Sequence, residues 1–204
     1  MNNEVKLFLF LMVLSITQGC SVAPFTVPSG GTTLGKDNKV VRLNVLPTTA
    51  ASIGYGASAN VDLGATFESQ IGAPIAVWGK HSLLNQKAGL SVAYIAGAFG
   101  GGDNRKGFYI APTFGYSSEK VEWYSIVRYN DVYWEGDEDA VDGESIRYLD
   151  VFPLDRKEFS YWQIDFGGRS QVAEGRTSVE LGVTCVYYKD EYGCLPIAGL
   201  GFGI

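Results

Sequence analysis

From Lys39 onward, apolar residues alternate with polar or small ones, and the period is two. Val41, Leu43 and Val45 alternate with Arg42 and Asn44, and Val61, Leu63, Ala65 and Phe67 with Asp62, Gly64, Thr66 and Glu68. The same rhythm runs through Leu90, Val92, Tyr94, Ala96 and Ala98, with Ser91, Ala93, Ile95 and Gly97 between them. It returns in Phe108, Ile110, Pro112, Phe114 and Tyr116, and in Trp162, Ile164 and Phe166. Strict alternation marks strands with one apolar face. Turn-forming clusters separate the segments: Ser58-Ala59-Asn60, Gly101-Gly102-Asp103-Asn104, Ser117-Ser118-Glu119-Lys120 and Ala173-Glu174-Gly175-Arg176. The pattern predicts ten strands, approximately 39–47, 51–58, 61–69, 74–83, 89–99, 107–117, 121–134, 158–169, 177–189 and 194–204, and no helix.

Most of these segments have the length needed to cross a bilayer at a tilt, about 9–11 residues. The expected fold is therefore all-β, a single antiparallel up-and-down transmembrane barrel of about ten strands. Alternation alone leaves the buried face open. The glycine-rich and charged set suits a narrow lumen, where side chains must fit together. The larger set carries aromatics near strand ends, at Trp123, Tyr133, Tyr187 and Phe202, where membrane-interface girdles sit. The alternative is a soluble sandwich or lipocalin-like barrel with the faces exchanged.

Parity is consistent with the membrane reading. With both termini in the periplasm, the strand number is even and connections alternate short and long. The long connection, residues 135–157, falls on the outer side, and the short connections 58–60, 84–88, 118–120 and 170–176 fall on the other. Residues 144–152 leave room for a further strand, so eight or twelve are alternatives.

The beginning of the chain is of a different kind. Lys6 precedes the apolar run LFLFLMVLSI at 7–16, followed by Thr17-Gln18-Gly19-Cys20. A charged start, a short apolar stretch and a small residue before the cut form the plan of a secretory signal. The run is too short for a membrane helix, which needs about 20 apolar residues. A cysteine directly after Gly19 resembles the lipobox of bacterial lipoproteins, although Thr17 stands where an aliphatic residue is usual. The expected organisation is a signal peptide at 1–19, a flexible tether at 20–35 from a lipidated Cys20, and a barrel at 36–204. The tether is inferred from Pro, Gly, Ser and Thr in SVAPFTVPSGGTTLG.

Composition narrows the function classes. A net charge of −6 with no basic cluster argues against nucleic-acid binding and against adhesion to an anionic membrane surface. The 26 glycines, 12 tyrosines and 11 phenylalanines suit packed strands and interface girdles.

Several short motifs point the same way. Thr33-Leu34-Gly35-Lys36, then Tyr55-Gly56, then Asn60-Val61-Asp62-Leu63-Gly64 and Trp78-Gly79-Lys80 resemble small bacterial outer-membrane β-barrel proteins of the OmpA-transmembrane-like and porin-like kind. Those proteins often carry TLGKG at the start and YG…DNLDLG in the second hairpin. The resemblance covers residues 32 to 204 loosely. It implies an outer-membrane location, lipid as the surrounding partner, and the barrel-insertion machinery as assembly partner. Such barrels usually end in an aromatic residue, whereas this chain ends Phe202-Gly203-Ile204.

Three constellations are candidates for chemistry. Cys185 and Cys194 flank the turn at 189–192 and fall opposite each other on the outward set, so a disulfide pinning this hairpin is expected in an oxidising compartment. No further Cys or His lies nearby to make a zinc site. Arg42, Asp62, Glu68, Lys80, Glu122, Arg128, Asp165, Arg169 and Glu180 all fall on the inward set. Four basic and five acidic groups nearly balance, and unpaired charges in a low-dielectric interior are costly. A salt-bridged plug is expected, with a narrow porin-like passage as the alternative. Finally, Glu135, Asp137, Glu138, Asp139, Asp142 and Glu144 form an acidic loop whose spacing does not match an EF-hand, so a solvated surface is expected over a cation site. His81 is the single imidazole, and the glycines at 100–102 lack the strand-to-helix context of a phosphate loop. No catalytic residue, metal or cofactor is expected, and the barrel is expected to be a monomer with a structural or interaction role.

Overall fold

Each alternating segment pairs antiparallel with the next, and the last returns to the first, so the sheet closes without a free edge. The computed structural model describes residues 30–46, 48–69, 74–86, 88–102, 104–118, 120–134, 158–172 and 177–204. Its ten strands are β1 (Lys39–Leu46), β2 (Thr49–Gly56), β3 (Val61–Ser69), β4 (Ile75–Asn85), β5 (Gly89–Gly100), β6 (Lys106–Ser117), β7 (Val121–Tyr133), β8 (Glu158–Val172), β9 (Thr177–Tyr188) and β10 (Glu191–Gly203). Closure is made by β1 against β10, where Leu43 faces Leu200 and Val40 faces Gly203. Closure satisfies the backbone donors and acceptors of every strand on both sides, which a sheet immersed in hydrocarbon requires.

The strand bounds agree with the alternation to within about three residues. The largest differences are at β8, which ends at Val172 and not at 169, and at β10, which begins at Glu191 and not at 194. Lys189-Asp190 is a two-residue turn with Lys189 at φ 52°, so Glu191 pairs Tyr188 at once. Short breaks in register occur in β1 between Asn44 and Leu46 and in β4 between Ser82 and Leu84. The possible strand at 144–152 lies outside the described residues.

The faces are sorted as a membrane barrel sorts them. Leu63 and Phe67 are 49% and 48% exposed, while Asp62 and Glu68 on the same strand are 1% and 0% exposed. The outer surface carries Ile53, Ile75, Val77, Leu90, Ile110, Phe114, Phe166 and Leu181.

The lumen also holds large aromatic residues, which the small-inside expectation did not foresee. Trp78, Phe99, Tyr109 and Tyr124 are buried. Each lies directly across from a glycine on the neighbouring strand: Trp78 from Gly64, Phe99 from Gly107, Tyr109 from Gly97 and Tyr124 from Gly167. A β-carbon on Gly64 would collide with the Trp78 indole, and one on Gly97 with the Tyr109 phenol. The ring covers the bare backbone of its partner, and the missing side chain supplies the room. This is how a narrow barrel holds both rings and ion pairs.

Cys185 and Cys194 are cross-strand partners and form a disulfide on the outward face of the β9–β10 hairpin. The closed loop is short, so loop entropy gives it about 2–3 kcal/mol. Replacing both cysteines with serine should lower the unfolding free energy read from urea titrations in detergent micelles by that amount, without changing the barrel's mobility on gels.

Candidate functional site in the lumen

All nine charged residues expected in the lumen point there. They fall into a cluster near the mouth where β1 begins, a central group, and a group toward the opposite mouth.

At the near mouth, Asp62 on β3 and Lys80 on β4 are direct partners, with Nζ to Oδ2 at 3.0 Å. Glu122 on β7 faces Arg169 on β8, which in turn faces Glu180 on β9, at 3.5 and 3.6 Å. The strand register thus delivers these five charges as adjacent opposite pairs. Tyr124 donates its hydroxyl to Glu180.

Residues 30–35, read from composition as the end of a tether, are seated in this mouth. The Thr32 hydroxyl donates to Glu122 at 2.8 Å, and the Leu34 amide donates to the Asp62 carboxylate at 3.1 Å. Lys80 donates to the Thr32 carbonyl, and Ser82 donates to that of Gly31 at 3.2 Å. Gly30 is at φ 88° with the Glu122 carboxyl where a side chain would stand, so only glycine fits. Two ion-paired groups therefore hold the segment across the opening.

In the centre, Arg128 on β7 is fully buried, bonds to Gln163 on β8, and lies 5.2 Å from the Tyr109 ring centroid. Gln163 donates to Asp165 at 2.9 Å. Trp78 donates its indole N–H to Thr66 at 3.2 Å. Toward the far mouth, Glu68 accepts from the Thr48 hydroxyl at 3.3 Å. Phe159, Tyr161 and Tyr188 pack together there, with Phe159 edge-on to Tyr188 at 6.0 Å. Packed rings at the far mouth and seated backbone at the near one narrow the passage between the mouths.

Among the described residues, no hydrolytic pair is assembled around His81. It faces outward against Tyr94, ring centroids 5.3 Å apart, while its neighbour Ser82 points into the lumen. Among the described residues, no group of three or more His, Cys, Asp or Glu side chains is placed to hold a metal ion. The acidic loop of Glu135, Asp137, Glu138, Asp139, Asp142 and Glu144, and the lipidation candidate Cys20, lie outside the described residues. The outward aromatics stand as expected at Trp123 and Tyr187, and Lys106 sits over the Tyr133 ring at 4.8 Å. The sequence reading missed Thr32, Leu34, Tyr124 and Gln163 as lumen partners. Tyr124 and Gln163 carry the inward parity of Glu122 and Arg128, and of Asp165, which was the available signal.

No protein-family model matches the chain, and no curated protein matches it. Among solved structures, the N-terminal β-barrel domain of Pseudomonas aeruginosa OprF is similar, at 11% identity over 83% of this chain and 99% of that one, with a TM-score of 0.38. Likeness at that level carries no functional argument.

Proposed function

We propose that this protein is a bacterial outer-membrane β-barrel with a structural or interaction role and no catalytic one. The observation that carries this reading is the inversion of faces: apolar side chains cover the outside of a closed barrel whose charged side chains are turned inward among buried rings. In water, so continuous an apolar surface is an aggregation liability, since monomeric soluble proteins rarely expose patches above a few hundred Å². In lipid it is the required solvent-facing surface. A lipocalin-like carrier needs an apolar interior cavity, and here the interior holds Arg128, Asp165, Glu68 and the Asp62–Lys80 pair. In the same reading, residues 1–19 export the chain, Cys20 is acylated, the insertion machinery assembles the barrel as a monomer, and the near mouth faces the periplasm.

The seating of residues 30–35 and the packed rings at the far mouth support a closed barrel over a porin-like passage. Membrane fractionation with a heat-modifiability gel tests the placement. The protein should stay with carbonate-washed membranes, shift in mobility on boiling, and give no steady conductance in planar bilayers. Recovery in the soluble fraction with a single unchanging band would overturn the membrane reading, and a stable open-channel current would overturn the closed lumen.

A further inference from the structure

The near mouth is not filled evenly. Beside residues 30–35 lies a cavity of about 1000 Å³, open toward the aqueous side and walled by β1, β7, β8, β9 and β10. That is the volume range of small-molecule sites. Its charged side chains are Lys39, Arg42, Lys120, Arg169 and Glu122, four cationic to one anionic, although the chain as a whole is acidic.

Arg42 is the side chain that the ion-pair arrangement leaves over. It is 8% exposed and lines the cavity. The carboxylates of Glu180, Glu122 and Asp62 act on it from a distance, but each is already committed. Glu180 and Glu122 are paired with Arg169, and Asp62 with Lys80 and the Leu34 amide. Among the described residues, Arg42 has no hydrogen-bond or ion-pair partner. Its nitrogens are not sealed from solvent, so the guanidinium is open to a ligand that takes the place of water in the cavity. Its planar fork matches the two oxygens of a carboxylate or phosphate. Ser178 lines the same wall and adds a hydroxyl donor.

We propose that this cavity binds a small oxyanion, a phosphate or carboxylate group, on Arg42, with Lys39 and Lys120 attracting it at the rim. Two sources carry that chemistry: a free anion in the aqueous phase and the headgroup of an anionic phospholipid.

The test uses the full chain in dodecyl maltoside micelles, titrated calorimetrically with inorganic phosphate and with succinate in a buffer free of other oxyanions. Saturable one-to-one binding is expected, weakened about tenfold or more by Arg42→Gln, the loss of a charge-assisted bond. The exposed Lys120→Gln, which touches no packing, should weaken it about twofold and flatten its salt dependence. Retained phosphatidylglycerol, counted by native mass spectrometry in the native chain and in R42Q, separates the sources. A titration in micelles assigns a soluble anion, and loss of one retained lipid in R42Q assigns a headgroup. Silence of the native protein in both arms, or binding unchanged in a heat-modifiable R42Q barrel, overturns the proposal. The inference does not depend on the medium outside the barrel, so its failure leaves the membrane reading where it stands.

Discussion

Ile110→Arg should prevent the barrel from folding into lipid vesicles. Ile110 lies on the outward face of β6 and is 53% exposed. In hydrocarbon, an arginine near the middle of a strand costs about 2–4 kcal/mol, falling toward zero at the interfaces. The same change on a water-facing surface is worth within about 0.5 kcal/mol. The two solvents thus predict opposite results from one substitution. The measurement is the fraction of heat-modifiable barrel after refolding into vesicles, compared with Ile110→Leu. Equal yields for both variants would mean that the apolar band does not meet lipid.

Lys80→Met should be the most damaging change inside the barrel. Lys80 is 2% exposed, and among the described residues its removal leaves the buried Asp62 carboxylate with the Leu34 amide as its hydrogen-bond donor. Breaking a buried pair on one side costs about 3–5 kcal/mol, because the remaining charge keeps its desolvation penalty. Lys80→Met combined with Asp62→Asn removes both charges while the amide oxygen still accepts from Leu34, so the double variant should recover most of the loss. Urea midpoints in micelles read both. Limited proteolysis adds a second reading, since the single variant also loses the Lys80 bond to the Thr32 carbonyl and should be cut faster within residues 30–35. Equal destabilisation of single and double variants would show that residue volume, not charge pairing, governs this corner.

The two largest effects fall on the two faces, and the faces were the part of the structure that the sequence displayed most openly. Parity is a local property: once Leu63 and Phe67 are outward, Asp62 and Glu68 are inward, and no distant information is needed. The nine lumen charges were legible for the same reason, as was the Cys185–Cys194 pair, which follows from counting across one hairpin. What parity does not give is the partner across the sheet. Trp78, Tyr109 and Tyr124 were hidden because a large ring in a narrow lumen is tolerable only opposite a glycine, and that opposition depends on register between strands. The seating of residues 30–35 was hidden more deeply. Their composition is that of a linker, and their partners lie as much as 90 positions away, as for Thr32 and Glu122. Arg42 was placed correctly, but its lack of a partner became visible only after every nearby carboxylate had been assigned.

The ring-and-glycine pairs also bear on how the chain finds its alignment. A strand that slides by one residue turns its charges to the apolar outer surface and is rejected by polarity, but a slide by two keeps every residue on its proper side and escapes that check. Between β5 and β6 such a slide would set Phe99 against Tyr109 or against Arg105 in place of Gly107, and in one direction would press two rings into one gap. Between β3 and β4 it would put the Trp78 indole opposite Asp62 or Thr66 in place of Gly64. Each vacancy thus works as a keyway cut for a single ring, and the misalignments that hydrophobicity overlooks are rejected by shape.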